Sequence, residues 1–371
     1  RQSHRKAAEV STTVFDPASL EELRKQQPGR SWRARTPRFT WSVALATLIP
    51  VGVATALLFA STIPDALVVV AIYFPLQLLA AATSAAATKG KHGIGDSFIY
   101  VLAIGASMFS LVIITSLIAS LLVNGLKAMS AAFVSQNNVY ISPSTPLEYG
   151  GVGHAVIGTV MIVAISMLVA IPIGIATAIY ITEVRGRAVP YVRFFVQAMS
   201  GVPSVVAGLF ILTTLILTGA LQTSALAGGL AYAILMLPTV ARTAEEVLRL
   251  VPDDLRTGAL ALGSTRARTV MKVVLPAAKT GIITAIVLGV ARVVGETAPL
   301  LLTVGISDQT VVNPVNSPIA ALPTYIFTNV AQPYPDAVTR AWGAALVLMV
   351  LVAILFVLAR VLGRNRIQRT K

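Results

Sequence analysis

Apolar residues along this chain run in long unbroken stretches rather than alternating or recurring on one face. Stretches of about 20 residues, the length that crosses a bilayer as a helix, fall at about 43–63, 66–87, 98–123, 155–182, 195–218, 220–240, 280–304 and 340–362. The pattern predicts an all-α polytopic membrane protein with about eight transmembrane helices. Only Pro64 and Asp65 separate the first two stretches, which predicts a tight turn between antiparallel helices. Residues 1–42 are polar and basic, and the first apolar run starts too late to read as a removed signal peptide. Asp16 and Pro17 read there as the N-cap and first residue of a short helix with Leu20 and Leu23 on one face. The chain is thus expected to divide into an extension (1–42), N-terminal spans (43–123), an external loop (124–154), a core (155–362) and a tail (363–371).

Composition agrees, with 56% hydrophobic and 12% charged residues, against roughly 25% charged in a soluble domain. The net charge of +14 fits either nucleic acid or a membrane surface, so the positions of the charges decide. With the N-terminus in the cytoplasm, 26 of the 29 Lys and Arg lie on the inner side. Lys127 and Arg340 lie outside, and Arg292 lies within a span. The positive-inside rule therefore predicts a multi-pass plasma-membrane protein with both termini cytoplasmic. The basic balance is topology plus affinity for anionic membrane lipid, not nucleic-acid binding.

Zero cysteines exclude disulfides and thiolate sites. His4 falls in the tail, His92 in a short inner loop and His154 at the outer edge of a span. Each is expected to be solvated or interfacial, and no metal site is predicted. No Gly-rich phosphate-binding loop is present and the acidic residues are dispersed, so no catalytic residue is expected. Any driving energy must come from a partner.

The stretch 241–278 is the longest inner loop, and loops of that size usually have a function. Leu248, Val251, Leu255, Ala259 and Leu262 recur at spacings of three and four, which predicts short helices with an apolar ridge suited to docking another protein. Pro252 with Asp253 and Asp254 predicts a break and restart, Gly263-Ser264-Thr265 a second turn, and Pro276 a stop before the next span.

Arg292 and Glu296 are the only charges in the 280–304 run, and four residues on one helix would bring them to the same face. Charges at that depth face a bundle interior or a wet cavity. Glu296 either locks packing by neutralising Arg292 or orients its guanidinium fork toward an oxyanion. The 195–218 run carries Gln197, Ser200 and Ser204 among Gly201, Pro203 and Gly208. Proline and glycine there allow a hinge or gate, and the small residues at spacings of three and four equally suit helix packing.

Three stretches resemble a known family. Leu255-Arg256-Thr257-Gly258-Ala259-Leu260-Ala261-Leu262-Gly263, with Val273 and Leu275-Pro276 following, resembles the docking loop of ABC importer permeases, although Thr257-Gly258-Ala259 stands where that loop has Glu-Ala-Ala. Ala291-Arg292-Val293-Val294-Gly295-Glu296-Thr297-Ala298-Pro299-Leu300-Leu301, and Pro318 to Pro323 after it, are similar to the A-type permease subunit of phosphate ABC importers. Ser200 to Phe210 adds a motif shared with that subunit's sister. The resemblance covers about residues 150–362 and implies a type I ABC importer permease core with two extra N-terminal spans. It implies a bacterial inner-membrane permease forming half of a phosphate pathway. Its partners would be a C-type sister permease, a cytoplasmic ATPase dimer that binds ATP and magnesium, and an external phosphate-binding protein. Substrate-pathway residues would be Arg292, Glu296, Thr297, Ser200, Ser204 and Gln197, with Gly201, Pro203 and Gly208 as gate or hinge. ATPase coupling would fall to Leu255, Arg256, Gly258, Ala259, Leu262, Gly263 and Pro276. Alternatives are a permease for another oxyanion such as molybdate or sulfate, an ion-gradient-driven carrier, or a membrane anchor without a pathway.

Overall fold

A computed structural model describes residues 37–60, 68–89 and 91–363. The regular elements among the described residues are all helices, and no strand occurs among them. The chain divides into two compact units, 1–115 and 116–371. The expected helix at Asp16 and turn at Pro64 lie outside the described residues.

In the first unit, α1 (Pro37–Ala60) packs on α2 (Phe74–Lys89) and on the π turn Val68–Tyr73 that precedes it. Gln77 Nε2 donates to the Ala46 carbonyl at 3.2 Å, a cross-helix contact of the kind a hairpin makes. α3 (Lys91–Gly125) begins in this unit. Its apolar surface is exposed from Phe98 to Leu117, as suits a helix whose solvent is lipid.

The second unit holds the core. A short α4 (Ala131–Ser135) is capped by Ser130, whose hydroxyl accepts from the Phe133 amide. α5 (Gly153–Val184) and α8 (Ala225–Arg249) form the central pair, with Ile162, Tyr232, Met236 and Val240 buried between neighbours. Small residues set the spacing. A Cβ on Gly229 would stand 2.5 Å from Ile165 Cγ2, and one on Gly289 2.6 Å from Val240 Cγ2, so glycine permits the close approach that apolar helices in lipid use instead of hydrophobic drive. α9 (Asp253–Ala261), α10 (Arg266–Val293), α11 (Ala298–Thr303), α12 (Leu322–Val330) and α13 (Pro335–Gly363) complete the unit.

Among the described residues, five helices are long and apolar enough to cross a membrane, and two shorter apolar helices cover 44–57 and 74–86. The remaining run, 195–218, is not one helix. It is α6 (Val189–Ser200) followed by α7 (Ser204–Ile216) at 102°. Pro203 has no N–H to continue the helix and disfavours helical backbone at Val202, so it opens α7 instead of kinking a single rod. Each of the eight apolar runs is mostly helical over its described residues, but the run ends are not helix ends. α8 continues to Arg249 and α10 begins at Arg266, so most of the expected 241–278 loop is helix. Hydropathy marks where the lipid is, whereas an amphipathic helix continues into water.

Pro276 does not stop a helix. It sits inside continuous α10, just after the π turn Val270–Val274, where the widened hydrogen-bond pattern accommodates a missing donor. The exposure expected of His154 is reversed, and Arg340 on the outer side is buried as well. His154 is 1% exposed, edge-to-face against Tyr325 at 5.8 Å. Arg340 is 1% exposed and donates to the carbonyls of Thr145, Pro146 and Tyr149 at 2.7, 2.8 and 3.2 Å. Arg340 is thus held by the 136–152 segment, whose sequence shows no helix or strand period.

Candidate functional site

Arg292 lies in the last turn of α10, exposed on the surface of the chain, and its Nη1 donates to Thr239 Oγ1 at 2.9 Å. Among the described residues it forms no ion pair with Glu296. The reason is local. The helix ends at Val293, the Glu296 amide donates to the Val293 carbonyl at 3.0 Å, and Glu296 falls in the turn before α11. The Glu296 carbonyl accepts from Tyr232 Oη at 2.5 Å. Tyr232 and Thr239 are two turns apart on one face of α8, so a single helix face positions both the turn and the guanidinium.

Thr297 precedes α11, and its carbonyl accepts from the Leu300 and Leu301 amides at 3.1 Å each. Against α11 lies α7: a Cβ on Gly208 would stand 2.6 Å from Pro299 Cα. Gly208 is thus a packing contact. Gly201 ends α6, and a Cβ there would meet only the Ala198 carbonyl at 3.5 Å. Ser204 begins α7 and is half-buried, whereas Ser200 Oγ donates to the Val196 carbonyl at 3.0 Å. Gln197 lines a separate cavity of about 250 Å3 with Arg193, Arg242, Glu245, Glu246 and Arg249.

At the end of the core where α8 stops, α9 is held by an arginine the sequence assigned to a partner. Arg256 Nη2 and Nε reach Glu183 at 2.8 and 3.2 Å. Its Nη1 reaches the Val251 carbonyl at 2.6 Å and Asp253 at 3.0 Å, and Nη2 also reaches the Leu248 carbonyl at 2.8 Å. The Glu183 hydrogen bonds raise the Arg256 pKa above its ordinary value. Arg256 therefore ties α5, α8 and α9 together. The expected ridge is split: Leu248 and Val251 are buried with Ala244, Val274 and Ala278, while Leu255 is exposed and Leu262 is 91% exposed. Gly258 is exposed with open space beside it, and Ala259 is half-buried. Gly263 takes φ +83, with its amide on the Leu260 carbonyl and the Ser264 amide on Ala259, a Schellman closure that glycine favours.

Sequence reading missed Glu183 and Glu245. Glu245 bridges Arg193 at 3.0 Å and Arg249 at 2.5 Å. Arg249 lies four residues on, a legible helical pair, but the link to α6 is tertiary. No group of acidic, His or Cys side chains able to hold a metal occurs among the described residues.

Residues 170–368 match the family described as "Binding-protein-dependent transport system inner membrane component". The "Phosphate transport system permease protein PstA 1" of Mycobacterium tuberculosis (strain ATCC 25618 / H37Rv) is 43% identical over 205 residues, 55% of this chain and 67% of that protein. The corresponding permease proteins of Haemophilus influenzae and Yersinia pestis are 34% and 33% identical, over 75% and 71% of this chain and 95% and 88% of theirs. Similarity over 75% of the chain extends N-terminally beyond the motif-bearing core. With its family model matched over more than half the chain and relatives matched over most of their length, the chain belongs to the binding-protein-dependent transport system inner membrane components.

Proposed function

We propose that this chain is the A-type permease subunit of an ATP-driven phosphate importer, forming half of the translocation pathway. The observation that carries this reading is Arg292, a charge on an apolar helix, exposed on the surface of its own chain and hydrogen-bonded there to Thr239. A cation at membrane depth faces protein or water, so a second permease must cover that face and leave a polar path between. The guanidinium fork matches a tetrahedral oxyanion, and the similar chains are phosphate permeases by name. Glu296 and Thr297 lie in the turn that follows Arg292, and Ser204 opens the helix that packs against α11.

The partners follow from the remaining surfaces. A C-type sister permease covers the Arg292 face, an external phosphate-binding protein delivers the anion, and a cytoplasmic ATPase dimer supplies energy. Exposed Leu255 and Leu262 on the α9 segment form the ATPase contact, with Gly258 allowing close approach. Arg256 acts one step back, transmitting movement of α9 to α5 and α8. The cluster of Arg185, Arg187, Arg193, Arg242 and Arg249 toward the α9 end supports a cytoplasmic location for that end, and with it the reading of a bacterial inner-membrane protein whose two termini are cytoplasmic. ATP and magnesium belong to the partner.

The test is radiolabelled phosphate uptake in cells lacking this chain, complemented with wild type or Arg292→Gln. Uptake restored by wild type, untouched by excess molybdate or sulfate and lost with Arg292→Gln at equal membrane abundance, is the expected result. Uptake suppressed by molybdate or sulfate would move the substrate to another oxyanion.

A further inference from the structure

Near α9 lies a cavity of about 520 Å3 whose walls include Arg185 at the end of α5, Arg193 on α6, Arg249 at the end of α8, and Asp253 and Arg256 on α9. Four arginines around one cavity invite the question of how far the protein itself satisfies them. Arg256 is saturated, its guanidinium shared among Glu183, Asp253 and two carbonyls, and it serves as wall. Arg193 and Arg249 both lean on one oxygen of Glu245, which leaves most of each five-donor fork free. Arg185 gives only Nε, to the Thr182 carbonyl at 2.9 Å. Its two terminal nitrogens have no protein partner among the described residues.

Arg185 also holds an unusual backbone. It closes the π turn Tyr180–Val184 in the left-handed region, at φ 52 and ψ 40, which glycine adopts freely and an arginine does not. π turns and such outliers concentrate at functional positions, and here the strained residue is the one with the free guanidinium.

The surroundings point to the membrane surface. On α6, Tyr191, Phe194 and Phe195 are exposed, and helical spacing puts Arg193 on the opposite side from these rings. An amphipathic helix of that kind lies in the interface with its rings at headgroup level. A cavity of 520 Å3 is in the range that holds small organic groups, and a bare tetrahedral anion would leave most of it empty.

We infer that this cavity binds a phosphate group, presented by an anionic phospholipid headgroup or as the free anion, through the unspent guanidinium donors of Arg185, Arg193 and Arg249. The reading concerns a site apart from Arg292 and stands whether or not the chain carries phosphate.

The experiment is native mass spectrometry of the full chain in non-ionic detergent, with dioleoylphosphatidylglycerol, dioleoylphosphatidylcholine or inorganic phosphate added separately. Variants are Arg185→Gly, Arg193→Gln and, as control, Arg187→Gln, since Arg187 does not line the cavity. Arg185→Gly relieves the left-handed backbone, so misfolding cannot explain a loss. Wild type and Arg187→Gln are expected to retain phosphatidylglycerol in preference to phosphatidylcholine, with retention falling about tenfold in Arg185→Gly, the loss of one charge-assisted hydrogen bond. Inorganic phosphate retained in place of the lipid, with the same dependence on Arg185, keeps the site and assigns it to the free anion. Retention that is equal in wild type and Arg185→Gly, or that ignores headgroup charge, overturns the proposal.

Discussion

Arg256 and Glu183, 73 residues apart, meet through two guanidinium nitrogens, with side chains only 15% and 10% exposed. The same guanidinium takes the Leu248 and Val251 carbonyls at the end of α8, so one side chain fixes the angle of α9. A double-mutant cycle of Arg256→Met and Glu183→Gln, read by thermal unfolding in detergent, should give a coupling of about 2 kcal/mol. Arg193 and Glu245, whose arginine is 46% exposed, should couple by less than about 1 kcal/mol. Equal couplings at the two pairs would remove the special role of Arg256.

Gly208 and Gly201 look alike in sequence and differ in space. A Cβ at Gly208 meets backbone atoms of Pro299 at 2.6 and 2.9 Å, whereas one at Gly201 meets nothing closer than 3.5 Å. Gly208→Ala should cost about 1–3 kcal/mol through overpacking, and Gly201→Ala should be close to neutral. Unfolding midpoints of the two purified variants check this, and a neutral Gly208→Ala would mean that α7 and α11 slide apart easily.

Arg340 closes the 136–152 segment onto α13 through three carbonyls. Arg340→Lys keeps the charge and loses the fork, so chymotrypsin should cut after Tyr149 faster than in wild type. Tyr140, already fully exposed, serves as the internal standard. Unchanged cleavage at Tyr149 would show that the segment is held by something else.

What the sequence displayed and what it concealed divide along physical lines. Apolar length announces a helix in lipid, because one solvent sets one rule, and each of the eight runs is mostly helical over its described residues. Arg292 and Glu296 show the limit: their spacing is helical, but the helix ends at Val293, between them, and the partners turn out to be Thr239 and Tyr232 on another element. Arg256 was legible as part of a docking loop and illegible as a clamp, since Glu183 reaches it only through folding. Gly263, by contrast, announced its turn, and its φ of +83 is what that position demands.

Leu262 and Gly263 separate docking from folding within one turn. Gly263→Ala places a side chain at φ +83 and should destabilise α9 by about 1–2 kcal/mol. Leu262→Asp removes an apolar group that this chain does not bury, so its unfolding midpoint should match wild type. If the α9 segment is the ATPase contact, Leu262→Asp should still lower co-purification of the ATPase and uncouple hydrolysis from uptake. Normal coupling in Leu262→Asp would place the contact elsewhere.

Thr239 offers the discriminating test of Arg292. Its hydroxyl holds the guanidinium at 2.9 Å, a hydrogen bond to a charged group that contributes about 1.5–3 kcal/mol where it is shielded and less where it is wet. If Arg292 works only by bracing α10 against α8, Thr239→Val and Arg292→Gln remove the same interaction and should lower uptake equally. If the guanidinium meets the anion, Thr239→Val leaves the charge in place and merely loosens it, so uptake should fall a few-fold while Arg292→Gln abolishes it. The double variant then adds nothing to Arg292→Gln, because an acceptor without its cation has no part in transport. Uptake and membrane abundance measured together for the three variants separate the two roles.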